Sequence, residues 1–249
     1  MQEEEITIET NDGLLDCRLF INKNKNTPSI IFYMDAPAIR EELRIMCRRL
    51  CKNGYNVVLP NLFYRVGTEG NYPFNQGSYK TQKKELKKMI TTMNNTTNSM
   101  ITKDTKFILD YIENNFPNNK NIGIVGYCMS GRFVVTCGAI YPEKISAIAS
   151  FYGVDIFTNK SDSPHLLADK IKGELYLAFA EKDIWVPNKV LEKIKISFSN
   201  TYNKVTVETY KGTNHGFAFP SRHSYIEKAA EKHWENLILL FERNLKSLN

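Results

Sequence analysis

One cysteine sits where its neighbours could put it to chemical use. In Gly123-Ile124-Val125-Gly126-Tyr127-Cys128-Met129-Ser130-Gly131-Arg132 an apolar run stops at a glycine, and Cys128 follows. Small residues stand two places away on either side, at Gly126 and Ser130, with Gly131 giving further room. The apolar stretch from Phe133 to Tyr141 then suits a helix. This is the pattern of a strand turning sharply into a helix with a nucleophile at the tip, the G-x-S-x-G elbow written with cysteine for serine. Free N–H groups and the macrodipole of the helix favour a thiolate there. A free thiol, with its pKa near ~8.5, is only a few per cent thiolate at neutral pH and needs a base. Imidazole is the side chain that titrates in range, and it needs an acceptor on its second nitrogen to fix its tautomer. The competing use of such a cysteine is as a small buried hydrophobe.

Of the four histidines, His233 falls inside an amphipathic closing segment, where a core or boundary role is expected. His223 stands near the start of that segment, and His165 lies in a polar crossover after Ser163-Pro164. Only His215, in Gly212-Thr213-Asn214-His215-Gly216-Phe217, follows directly on a strand with flexible flanks, so it is assigned as the base. Asp183, just past the apolar run 174–180 and before Val186-Pro187, is assigned as the acceptor for the imidazole; a turn or helix-capping aspartate would read the same way. The chain order nucleophile, acid, histidine is that of α/β-hydrolases. Each oxyanion donor in such sites is worth about 2.7–4 kcal/mol. The backbone N–H groups of Met129 and Ala36 are the expected pair.

These residues need a frame that brings strand ends together. Residues 4–10 and 14–21 alternate around Asn11-Asp12-Gly13, predicting an N-terminal β-hairpin. Ser29–Met34 and Tyr55–Leu59 read as buried strands, separated by an amphipathic helix over 40–52 that Asn53-Gly54 ends. A loop rich in glycine and aromatic residues runs from Pro60 to Tyr79, a length more often functional than idle. Helices are predicted at about 80–92 and 99–115. Beyond the elbow come strands at 145–151, 174–180 and 205–210 and helices at 188–198 and about 223–246, with a short helix inside the crossover 155–172. The alternation predicts an α/β fold, one domain with a doubly wound, mostly parallel sheet covered by helices on both faces. In such sheets the loops beyond the carboxyl ends of the strands converge on one crevice.

Composition narrows the partners. The 249 residues are 42% hydrophobic and 24% charged, with a formal net charge of +6. The densest basic run, Lys83-Lys84-Glu85-Leu86-Lys87-Lys88, belongs on a solvated helix face, so no nucleic-acid partner is expected. The acidic start, Met1 to Glu5, lacks an apolar signal core, and no run is long enough to span a membrane. Cys17, Cys47, Cys51, Cys128 and Cys137 form no C-x-x-C pair, and their odd number argues against a disulfide framework. A reducing, cytoplasmic setting is expected.

Across nearly its whole length the chain resembles the dienelactone hydrolase family of α/β-hydrolases. The matching stretches are Tyr33-Met34-Asp35-Ala36-Pro37, Gly54-Tyr55 through Pro60-Asn61-Leu62-Phe63-Tyr64-Arg65, the cysteine elbow, Asp183 with Val186-Pro187, and His215-Gly216-Phe217. The resemblance implies a single domain over 1–249 and a Cys128-His215-Asp183 triad. It implies hydrolysis of a small-molecule ester or lactone without metal or cofactor. Pocket or supporting candidates are Asp35, Tyr64, Arg65, Tyr127, Arg132, Tyr152, His165 and Phe217. In the family the residue at the position of Asp35 is a glutamate that meets the resting thiol; aspartate is one methylene shorter. Arg132, a cation in the first turn of its helix, opposes the macrodipole by about 0.3–1 kcal/mol unless paired. A carboxylate near the site, with Asp35 the candidate, is one expected partner; an arginine reaching water along the helix flank would read the same way. Two readings from other classes use the same residues: a non-catalytic ligand-binding or regulatory protein on a hydrolase scaffold, and a thiol redox protein.

Family members that act on dienelactone bind its carboxylate with arginines. Here no arginine occurs between Arg65 and Arg132, and Phe219 stands four residues after His215. A more aromatic, less anion-selective pocket is therefore expected. In a hydrolysis screen of short acyl esters, lactones and dienelactone, neutral substrates should be preferred; dienelactone as the best substrate would refute the pocket argument.

Overall fold

The Asp12-Gly13 turn, with Gly13 at φ +130°, folds the chain back on itself. It joins strands β1 (Gln2–Thr10) and β2 (Gly13–Ile21) in an antiparallel pair. The computed structural model describes residues 1–24, 26–116, 121–199, 201 and 204–246. Its contacts group into two compact units, Met1–Asn119 and Lys120–Asn249.

In the first unit β2 pairs antiparallel with β4 (Asn56–Pro60), which pairs parallel with β3 (Ser29–Tyr33). Both β3 and β4 are buried along their whole length, as their continuous apolar runs predict. Between them α1 (Glu41–Lys52) buries Leu43, Met46, Cys47, Leu50 and Cys51. Its acidic first turn and basic last turn complement the helix dipole. Helices α2 (Lys83–Asn95) and α3 (Asn98–Asn115) follow, and Thr97 Oγ1 caps α3 by accepting from the Met100 N–H. The long loop before α2 is pinned by ion pairs: Glu69 joins Arg18 of β2 (2.7 Å) to Arg44 of α1 (2.8 Å).

The second unit carries β5 (Ile122–Tyr127), β6 (Ile145–Phe151), β7 (Glu174–Lys182) and β8 (Val205–Asn214), each parallel to the next. Their connections hold α4 (Gly131–Ile140), a 3-10 segment (Pro164–Lys170) and α5 (Asn188–Ser199); α6 (Glu227–Leu245) closes the chain. Side chains alternate across a strand, and here the alternation assigns a helix to each face. Gly123 lies against Phe241 and Leu245 of α6, and the Phe151 ring meets His233 of the same helix. Gly126 lies against Val134 of α4, and Ile148 against Gly138 of that helix. From Gly123 in β5 and Ala147 in β6 onward, odd-numbered positions thus face α6 and even-numbered ones face α4; a register shift sets the Ile122–Ile145 pair apart. The second unit has the α/β architecture read from the sequence, and the hairpin opens the first. No helix among the described residues is long and apolar enough to cross a membrane.

The differences are local. Strand β8 runs to Asn214 rather than stopping at Tyr210. The closing helix starts at Glu227, four residues later than predicted, with Ile226 at its N-cap and 37% exposed rather than on the inner face.

The start of α4 is set by a close approach of backbones. A Cβ on Gly131 would lie 2.2 Å from Gly153 Cα and 2.6 Å from Ser150 Oγ. Gly131→Ala should therefore lower unfolding stability by about 2–3 kcal/mol or prevent folding. An unchanged midpoint in chemical denaturation would contradict this packing.

Candidate active site

Strand β5 ends at Tyr127 in extended conformation, and Cys128 follows at φ +53°. A non-glycine residue there is strained by about 1–3 kcal/mol. Residues Cys128–Ser130 form one 3-10 turn that runs directly into α4. Gly126 is obligatory to this turn, since a Cβ would lie 2.8–2.9 Å from Ser130 and from Val134. The elbow predicted from the sequence is present, and the Cys128 side chain lies at its apex, half-buried. Cys17, Cys47, Cys51 and Cys137 are buried.

A register shift between β7 and β8 brings the other two groups together. Ala180 pairs with Tyr210, but Lys182 pairs with Asn214, so the next residues on the two strands are Asp183 and His215. Gly212, at φ +73° within the shift, makes the extra residues of β8 possible, and its N–H donates to Glu181 Oε2 (2.9 Å). The result is a hydrogen bond of 2.7 Å between His215 Nδ1 and Asp183 Oδ2. Asp183 Oδ1 accepts from the N–H groups of Trp185 (2.9 Å) and Val186 (3.3 Å), and its side chain is 1% exposed. Both oxygens are thus occupied, which fixes the carboxylate. The His215 carbonyl accepts from Ser224 Oγ (2.7 Å).

The opposite imidazole nitrogen, Nε2, is buried, and no hydrogen bond of ordinary geometry is closed onto it. Cys128 nevertheless acts on the ring. Burial opposes the imidazolium, but negative charge at Cys128, the Asp183 hydrogen bond and hydrogen bonding toward the sulfur outweigh it. Together they push the His215 pKa up to about 10. Such contacts are commonly long in a resting site and tighten with substrate bound.

A run of packed aromatic rings begins beside the imidazole. Tyr152, immediately after β6, meets the His215 ring in a T-shaped arrangement at 5.0 Å, and Phe217 packs on Tyr152 at 5.4 Å. Tyr210 stacks on Phe217 at 4.8 Å. Tyr127 is fully buried, with its hydroxyl 2.7 Å from His233 Nε2. His233 Nδ1 lies 3.1 Å from the Ala230 carbonyl. His233 therefore has the core role expected of it. His165 stacks on Phe157 at 4.0 Å and meets Ser163 Oγ at 2.7 Å, and burial lowers its pKa.

Arg132 pairs with Asp155, Nη1 to Oδ2 at 3.0 Å, and its guanidinium lies over the Phe133 ring at 4.7 Å. Burial lowers its pKa, while Asp155, Asp162 and Cys128 oppose that fall. Asp155, in the first loop beyond β6, thus faces it where the sequence suggests Asp35, and no local feature of the sequence marks Asp155 for that role. The Val154 N–H in this loop donates to the Cys128 carbonyl (3.0 Å).

The remaining candidates lie in the first unit. Asp35 is fully buried and held by Arg40 at 2.5 and 3.2 Å. Ala36 is buried in the turn that follows β3, where Ala38 adopts φ +66° and the Ala38 N–H donates to the Asp35 carbonyl. Gln76 reaches across to the Pro37 and Ile39 carbonyls (2.7 and 2.9 Å). Tyr64 donates to Asp104 (2.9 Å), and Arg65 binds Asp104 and Asp12, tying this loop to the tip of the hairpin.

This frame has counterparts in known proteins. The sequence matches the model of the dienelactone hydrolase family over residues 15–245, and the chain belongs to that family. It is 27% identical over 224 residues to a "Putative carboxymethylenebutenolidase" of Synechocystis sp., a match that covers 88% of this chain and 87% of the relative. Its fold is similar to the crystal structure of a "Putative Dienelactone Hydrolase" from Klebsiella pneumoniae. There the TM-score is 0.84 at 19% identity, covering 97% of this chain and 98% of the other. A dienelactone hydrolase from Anabaena variabilis gives a TM-score of 0.66 at 14% identity, covering 98% and 99%. The fold is that of the α/β-hydrolases, and the protein is a hydrolase of the ester and lactone type.

The raised His215 pKa has a consequence for stability. A histidine raised from about 6.5 in the unfolded chain favours the folded state below that pH. This contribution is lost as pH rises toward and through about 10. Replacing Asp183 removes one of its causes. The melting temperature of Asp183→Asn should fall furthest below wild type near pH 6, and the gap should narrow by pH 10.5. A gap that widens with pH would contradict the linkage.

Proposed function

We propose that the protein hydrolyses carboxylic esters or lactones by nucleophilic catalysis at Cys128, with His215 as general base and acid and Asp183 as its orienting carboxylate. The observation that carries this reading is the 2.7 Å bond between His215 Nδ1 and Asp183. It commits one nitrogen of the ring and leaves the other for the thiol. The Cys128 proton is held on His215 Nε2, whose pKa of about 10 keeps the imidazole protonated at neutral pH, and the thiolate attacks the carbonyl carbon. The Met129 N–H, one residue beyond the nucleophile, is the expected donor to the oxyanion. Collapse of the tetrahedral intermediate breaks the C–O bond, and His215 returns the proton to the leaving alkoxide, leaving a thioester on Cys128. Water, deprotonated by His215, then attacks the thioester, and the acid departs as the thiol is restored. In a lactone the leaving alcohol stays joined to the acyl group, so one product carries both.

Each part of this cycle is met by a side chain or backbone group of the chain itself, so no cofactor is required. The imidazolium that holds the proton is the species that Asp183 stabilises.

Cys128→Ala should lower hydrolysis of a short acyl ester such as p-nitrophenyl acetate by at least ~10³-fold while leaving the circular dichroism spectrum and melting curve near wild type. Retention of wild-type esterase activity would overturn the nucleophile assignment.

A further inference from the structure

Four non-glycine residues have positive φ among the described residues, and three of them surround the elbow: Cys128, Tyr152 (φ +40°) and Asp155 (φ +57°). Strain of this kind persists only where the surrounding structure over-determines it, and it gathers at functional sites. At Cys128 the elbow accounts for it. At Tyr152 nothing in the proposed mechanism does.

The cause at Tyr152 is visible in its neighbours. Its N–H is bound to the Ala178 carbonyl of β7 at 2.6 Å, and Gly153 follows in backbone contact with Gly131. The chain is therefore held on both sides of a residue whose bulky side chain disfavours the conformation. That conformation directs a fully buried ring to a defined place. The ring lies 5.9 Å from Tyr127, the residue before the nucleophile, and 5.0 Å from the imidazole of His215. Behind it Phe217 packs at 71° and Tyr210 stacks on Phe217. The Tyr210 hydroxyl is fixed by Tyr176 (2.9 Å) and Asn236 (3.0 Å).

We infer that Tyr152 is a positioning residue: its ring, delivered by a strained backbone, is a wedge between the elbow strand and His215 that keeps the imidazole Nε2 turned toward Cys128. The Asp183 bond fixes one nitrogen but leaves the ring free to swing about that contact. A fully buried aromatic ring packed against the imidazole at 5.0 Å and 61° removes the swing. The groups that set the charge of the imidazole are Cys128 and Asp183; Tyr152 acts through geometry alone. The inference rests on the Cys128–His215–Asp183 reading.

The test is the pH dependence of iodoacetamide alkylation at Cys128, read by mass spectrometry, together with hydrolysis of p-nitrophenyl acetate. The other four cysteines are buried, so Cys128 should react first. In wild type the imidazole-linked limb of the alkylation profile should lie near pH 10. In Tyr152→Leu it should move toward the ~6.5 of free imidazole, and hydrolysis should fall about tenfold or more with KM little changed. Tyr152→Phe, which keeps the ring, should hold both within about twofold of wild type. A folded Tyr152→Leu with a wild-type alkylation limb overturns the inference, as does a Tyr152→Phe that loses as much as Tyr152→Leu. If Tyr152→Leu does not fold, Phe217→Leu removes the ring behind the wedge, and an unmoved limb there overturns it equally. Alkylation needs no ester turnover. A wild type that shows the coupled limb but hydrolyses nothing would therefore count against the hydrolase reading and leave the wedge intact.

Discussion

The hydrogen bond from His215 to Asp183 organises the second unit of the chain. Its carboxylate is almost wholly removed from solvent, where an unpaired charge is costly. Three hydrogen bonds compensate: one from the imidazole and two from the backbone N–H groups of Trp185 and Val186. A charge-assisted bond of this kind contributes about 1.5–3 kcal/mol. Its geometry depends on features remote from chemistry. The register shift between β7 and β8 puts the two residues opposite one another. Gly212 makes the shift possible with a backbone conformation that other residues resist.

Around that bond the molecule concentrates its backbone strain. Cys128, Tyr152 and Asp155 each adopt positive φ without being glycine. The compensation comes from neighbours that cannot move: the glycine pair 131 and 153, the Val154 bond to the Cys128 carbonyl, and the Arg132–Asp155 ion pair. These contacts fasten the loop after β6 to the elbow after β5. The same ion pair answers the electrostatic problem of Arg132, since a carboxylate beside it offsets its unfavourable place in the first turn of α4.

Much of this was legible in the sequence, and the parts that were not share a physical reason. Continuous apolar runs fixed β3, β4 and β6 to within a residue or so, because a strand covered on both faces leaves no choice of residue type. The elbow was legible because its glycine and small-residue spacing is a steric requirement. Asp183 and His215 could be singled out because each follows an apolar run. What stayed hidden depends on pairing between distant segments. Lys211-Gly212-Thr213-Asn214 reads as a turn, yet it continues β8, because the extra residues are absorbed in a register shift against β7. Asp155 has no local signature of an arginine partner; the Gly131–Gly153 contact brings it beside Arg132. Tyr64 and Arg65, prominent in the sequence of the long loop, are engaged by Asp104 and Asp12, carboxylates far from them along the chain.

The central claim is that a covalent thioester forms on one sulfur. Rapid-quench intact mass and peptide mapping of the protein mixed with p-nitrophenyl acetate tests it most directly. The account predicts the mass gain of one acetyl group, mapped to Cys128 and lost again as turnover completes. An acetyl group found only on other residues, or ester hydrolysis at full rate with Cys128 never acylated, would contradict it.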